Sequence, residues 1–275
     1  MVPMSEVAII VSDLYQAANG QGGVHDRASA SPQAALPALT RIARFAGVSA
    51  LTGDWRAWLA GWLGRPDLAT ACSATPAAVA AAALPAGGAL PDATGSVWLA
   101  TPLNLVAGLT SVHLDYRGLL KLDAATLETL CQDFAAAFAE RGFALRRLTT
   151  GGLIACGPRF AHLPLTRDPA RLLGGGIADS TVQGPDAAPL LRLGAELEMW
   201  LHAHPLNAAR ARRGAAPLTT LWLWGGGEPL PVPPPAPPTP AGHPEATSMS
   251  VFGEDPVAAG LCTFSGARLR PRALS

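Results

Sequence analysis

Residues 201–231 read LHAHPLNAARARRGAAPLTTLWLWGGGEPLP, and this stretch decides the fold. Pro205 breaks a helix arriving from its N-terminal side but suits a first helical position. One helix therefore ends at His204 and a second, shorter one starts at Pro205. His202 and His204 are two residues apart, about 200° around a helix, so they cannot chelate one ion there. Asn207 and Arg210 are three apart on the second helix, placed to pin the following loop through backbone hydrogen bonds. Residues 218–224 are bulky and alternating, which predicts a strand running into a turn at Gly225-Gly226-Gly227. Three glycines allow close backbone approach, but they lack the GxGxxG spacing and the lysine of a phosphate loop. Arg210, Arg212 and Arg213 can grip phosphate; a solvated helix face is the simpler reading.

Upstream, 186–203 predicts the strongest helix, with Leu190, Leu193, Leu197, Trp200 and Leu201 as its apolar face. Before it, strands at 97–100 and 112–116, a helix at 124–141 capped by Asp123, and a hairpin of 143–148 with 153–156 through Thr150-Gly151-Gly152 predict an α+β unit with an antiparallel sheet. Further upstream, Asp54 is placed to cap a helix carrying Trp55, Trp58, Leu59 and Trp62 on one face, and 77–84 reads as another helix. A helix at 37–46 precedes these. The run 7–11 predicts a buried strand whose carboxyl end is Asp13, where α/β folds place ligand or metal groups. Downstream, 229–244 is a Pro-rich loop or linker, 248–252 a strand, 255–264 a short helix, and 268–275 a frayed tail.

The chain has 275 residues, 49% of them hydrophobic and 15% charged, enough for a sizeable core. Twenty basic and twenty acidic side chains leave no net charge, so no global field draws in nucleic acid or an anionic membrane. No apolar run is long enough to predict a membrane span, and the amino end lacks the basic region of a signal peptide. Cytoplasmic residence is the expectation. The low charge also predicts self-association or a protein partner that covers apolar surface. Cys72, Cys131, Cys156 and Cys262 are scattered without a CxxC pair, and read as core-filling thiols. Ser111, His113 and Asp115 share one face of a strand, which explains their spacing more simply than a triad does. GxSxG, HExxH and SxxK are all missing.

The stretch quoted first resembles the HPVNxxRxxxGxxPxNxxWLWGxGxxP pattern of archaeal-type cofactor-independent phosphoglycerate mutases, members of the alkaline-phosphatase superfamily. His204, Pro205, Asn207, Arg210, Gly214, Pro217, Trp222, Trp224, Gly225 and Gly227 carry the match. EVAIIVSDL at 6–14 resembles the opening strand and metal-binding aspartate of that superfamily, the latter matched by Asp13. ALPALTRIARFAGVS, PLNLV and FGEDPVAAGLCTFSG resemble further family segments in the same order. The short bacterial RpfE-type regulatory proteins, which carry the same block, are similar to this chain.

The resemblance implies an α/β fold: a reduced alkaline-phosphatase-like core from 1–94 and 186–275, with an inserted cap-like α+β unit at 95–185. It also implies a serine nucleophile and two manganese or zinc ions. This chain departs there. Gly53 occupies the serine position, with Thr52 one residue off; Pro102 replaces an arginine; Asp168 stands in a substrate segment without its histidine. The late metal-binding segments of the full enzymes find no counterpart, so the chain is expected to stop near where those enzymes continue. Asp13 alone cannot seat two divalent ions. The expectation is therefore a pseudoenzyme without cofactor, a regulatory or partner-binding protein. Trp55, Trp58, Trp62 and the 229–240 segment are candidate contact surfaces. Two alternatives remain at this point. One is a metal-dependent mutase or phosphatase using Asp13, Thr52 and Asp54, with a histidine from elsewhere converging on the metal. The other is a sensor of an anionic metabolite, held by Asn207, Arg210 and Gly225–Gly227 and bounded by His204 and Trp224.

Overall fold

A computed structural model describes residues 51, 53–85, 95–178, 182–232 and 249–270. The strand expected at 7–11 with Asp13, the helix at 37–46, Thr52, and positions 233–244 and 271–275 lie outside the described residues. The chain divides into two units, Met1–Trp55 and Arg56–Ser275. The second unit contains all the elements below except the first residue of α1.

α1 (Trp55–Trp62) leads through a 3-10 turn to α2 (Ala69–Ala74) and α3 (Pro76–Ala80), which continues as a second 3-10 turn. β1 (Ser96–Ala107) and β2 (Val112–Leu119) follow, then α4 (Ala124–Phe138), β3 (Ala144–Arg147) and β4 (Leu153–Gly157). After a short β5 (Gly175–Gly176) come α5 (Ala187–Ala203), α6 (Pro205–Arg212) and β6 (Thr220–Gly227). β7 (Ser250–Phe252), α7 (Pro256–Ser265) and β8 (Arg268–Arg270) complete the series.

β1 to β6 form one sheet in which every pairing is antiparallel. β1 is its hub. β4 pairs with 96–99, β2 with 103–107, and β6 with 97–103. Pro102 sits inside β1, where its carbonyl accepts from Leu120 N at 2.9 Å; lacking an N–H, it donates nothing to the ladder. α4 and α5 supply one wall of the core. Leu127, Leu130, Phe134 and Phe138 from α4, and Leu190, Leu193, Leu197 and Leu201 from α5, bury against Trp98, Leu145, Leu153, Leu221 and Leu223. Trp98 is fully buried, edge-on to Phe160 at 5.0 Å. Against β1 and β6 also packs α3, with α7 lying on it. The described residues thus make a mixed α/β fold. None of their helices is long and apolar enough to cross a membrane.

Local chemistry set most elements where expected. Asp123 accepts from Thr126 N at 2.8 Å and starts α4. Asp255 accepts from Val257 N and Ala258 N, both at 2.9 Å, and Pro256 takes the first helical position of α7. The β3–β4 hairpin turns through Gly151 at φ +82°.

Two expectations are corrected. Gly225-Gly226-Gly227 is strand rather than turn: a Cβ on Gly225 would strike Pro76, one on Gly226 the Trp98 indole, and one on Gly227 Thr75 Cβ at 2.7 Å. These glycines let α3 and Trp98 approach β6 from opposite sides. On α1 the buried residues are Arg56, Leu59 and Ala60, and Trp58 is 40% exposed. Residues 268–270 are not frayed, because they pair in parallel with β7. Within the sheet, β6 from beyond 185/186 lies against β1 from before it.

Candidate functional site

The motif that opened the sequence reading folds as a corner. His204 ends α5 and caps α6. Its ring is buried, edge-on to Trp200 at 4.8 Å, and its Nδ1 accepts from Leu206 N at 3.2 Å. The Nε2 faces an Asp133 carboxylate oxygen at 3.2 Å, which assigns the ring proton to Nε2. Asn207 closes the corner. Its Nδ2 donates to Leu201 O at 2.8 Å and to Leu218 O at 2.9 Å, and its Oδ1 accepts from Leu218 N at 2.8 Å. Arg210 Nε donates to Ala216 O at 2.6 Å. The side chains most suggestive of ligand recognition therefore hold the end of α5 to the start of β6. His202 is exposed while His204 is buried, so the two do not share an ion.

A second cluster lies at the far end of β6. Trp224 Nε1 donates to Thr101 Oγ1 at 2.8 Å, and Gly225 N donates to Thr166 Oγ1 at 2.9 Å. Over the Trp224 ring, at 5.4 Å from its centroid, sits the guanidinium of Arg56. Arg56 donates to Asp168 at 3.0 Å and to Asp255 at 3.0 Å. Each aspartate also caps a helix: Asp168 accepts from Ala170 N at 3.0 Å, and Asp255 caps α7. Sequence reasoning passed over Arg56. The signal was there in two Asp-Pro pairs, 168–169 and 255–256, each an N-cap followed by proline at the first helical position.

Among the solved structures this chain resembles is the cofactor-independent phosphoglycerate mutase from Thermoplasma acidophilum DSM 1728, at 15% sequence identity and a TM-score of 0.43. The match covers 72% of this chain and 52% of that one, so this chain spans about half the mutase's length. No family model matches the sequence, and no curated protein matches it.

The divalent ion pair implied by the resemblance does not fit the described residues. No group of three His, Cys, Asp or Glu among them is arranged to hold a metal. Asp168 and Asp255 face a guanidinium and two helix starts instead. Asp13 and Thr52 lie outside the described residues; Gly53, at the serine position, has φ +103°. Ser111 Oγ and His113 Nε2 are 2.8 Å apart, but Asp115 accepts from Tyr116 N at 2.6 Å, so they form an exposed pair and not a triad. Burial pushes the thiols of Cys131, Cys156 and Cys262 up to about 11, far from a reactive thiolate.

Proposed function

We propose that this chain is a non-catalytic regulatory or partner-binding protein of the cytoplasm. In this reading it is a pseudoenzyme of the RpfE type, built on a reduced phosphoglycerate-mutase-like scaffold of the alkaline-phosphatase superfamily. One observation carries the reading. The polar groups that could have served a phosphorylated substrate are engaged in holding the chain together. Asn207 makes three bonds to backbone, Arg210 grips Ala216 O, and Asp168 and Asp255 close on Arg56. A sensor gripping its metabolite through Asn207 would have to break the corner that joins α5 to β6. On the outer side of α1, Trp58 is 40% exposed and stacks on Trp62 with ring centroids 6.3 Å apart, a surface suited to a partner.

The test is an assay for interconversion of 2- and 3-phosphoglycerate with added manganese, run beside light scattering on a sizing column. The expected result is no turnover, with self-association or a stoichiometric partner complex that Trp58→Ser weakens. Turnover abolished by Asp13→Ala overturns the reading in favour of a mutase. A strictly monomeric chain that captures no partner counts against partner binding.

A further inference from the structure

Between α5 and β6 the molecule holds a cleft of about 400 Å³. Its wall is apolar: Ile177, Val182, Leu191 and Trp222 line it, and among the described residues no arginine or lysine does. The opening is a consequence of sequence. Gly194 faces the cleft from within α5, and a Cβ placed there meets nothing within 4 Å. At its mouth Leu191 is 46% exposed, a large apolar side chain that α5 leaves in reach of solvent. The Trp222 indole N–H is already taken, donating to Arg167 O at 2.9 Å.

Among the described residues, one charged group lines this wall. Glu198 stands one turn beyond Gly194 on the same helix face. Its neighbour Glu196 pairs with Arg141, but Glu198 has no partner among the described residues. Glu198 is exposed and stands at the rim of the cleft. Partial desolvation beside the apolar wall raises the pKa of its carboxyl. A carboxylate beside an apolar cavity with no cation of its own is complementary to a ligand that brings one. The volume falls within the range of small-molecule sites rather than that of a protein interface.

We infer that the cleft between α5 and β6 is a binding site for a small amphiphilic cation, an apolar body buried against Leu191 and Trp222 with its protonated amine on Glu198. The inference does not depend on the non-catalytic reading, since none of these residues belongs to either cluster described above.

Three probes share one apolar body and differ in the head: octylamine, octanol and octanoate. Each is titrated calorimetrically into the full chain. Octylamine should bind about tenfold tighter than octanol, the worth of a charge-assisted hydrogen bond, and octanoate weakest. Glu198→Gln should reduce the preference for the amine to within about threefold, leaving octanol unchanged. Gly194→Leu should fill the cleft and abolish binding of all three, with circular dichroism confirming an intact fold. Absence of binding by every probe overturns the inference, as does equal affinity for the three heads. Undiminished binding in a folded Gly194→Leu chain overturns it as well. Should that variant fail to fold, the Glu198→Gln comparison still decides the matter.

Discussion

Asn207 shows what a single side chain contributes here. Its amide satisfies two carbonyls and one N–H at the α5–β6 corner, and the Leu218 end of that corner is buried. Asn207→Ala strands these groups, and each buried unsatisfied polar group costs about 1–3 kcal/mol. With water reaching part of the corner, urea denaturation should show a loss of about 2–3 kcal/mol. Asn207→Asp should be no better, because it retains the acceptor for Leu218 N but points an oxygen at two carbonyls. If both variants unfold at the wild-type midpoint, the corner is not held by this residue. Arg56 is the contrasting case. A charged residue buried inside a tryptophan-rich helix looks like an error of patterning, until Asp168 and Asp255 supply two carboxylates and Trp224 a ring face.

At the level of elements, two helical glycines separate space from contact. Gly194 in α5 has an empty surround, whereas a Cβ on Gly260 in α7 would land on the carbonyl of Val79 where α7 crosses α3. Gly194→Ala should therefore raise stability by about 0.5–1 kcal/mol through helix propensity. Gly260→Ala should lower it by about 1–3 kcal/mol or more through overpacking. Opposite shifts in the thermal midpoint are the check; shifts of the same sign contradict the packing described. The same elements mark how far a sequence reading reaches. α4, α5, α6, α7 and the β3–β4 hairpin were legible because caps, apolar stripes and a glycine turn are encoded within a few residues. The strand identity of Gly225–Gly227 was not, because it depends on α3 and Trp98 pressing in from elsewhere. Nor was the strand at 268–270, whose partner β7 lies eighteen residues upstream. In the candidate site, the pinning role of Asn207 and Arg210 was readable from spacing. The Arg56 cluster was hidden because its aspartates come from two distant loops.

For the molecule as a whole, the buried thiols set an alkaline limit. Cys131, Cys156 and Cys262 are raised to about 11 in the folded chain, above the ordinary thiol value of 9.0. A raised acid favours the native state fully below the ordinary value, and that contribution disappears as pH climbs through the folded one. The unfolded chain sheds these protons first, so stability should fall between about pH 9 and 11. The thermal midpoint measured across that window should decline, and more gently in Cys156→Ala. A flat profile contradicts the burial described. The sheet also joins what the sequence separates: the strand that completes β1 comes from beyond residue 186, a stretch that, read alone, looks like part of another domain.

The position of β1 between early and late strands has a consequence for biosynthesis. Leu103 O waits for a hydroxyl 116 residues downstream, on Thr219. At cellular elongation rates that interval lasts about ten seconds. Throughout it, the nascent chain carries a long apolar strand with one flank unmatched, a natural client for a ribosome-associated chaperone and a vulnerable template for aggregation.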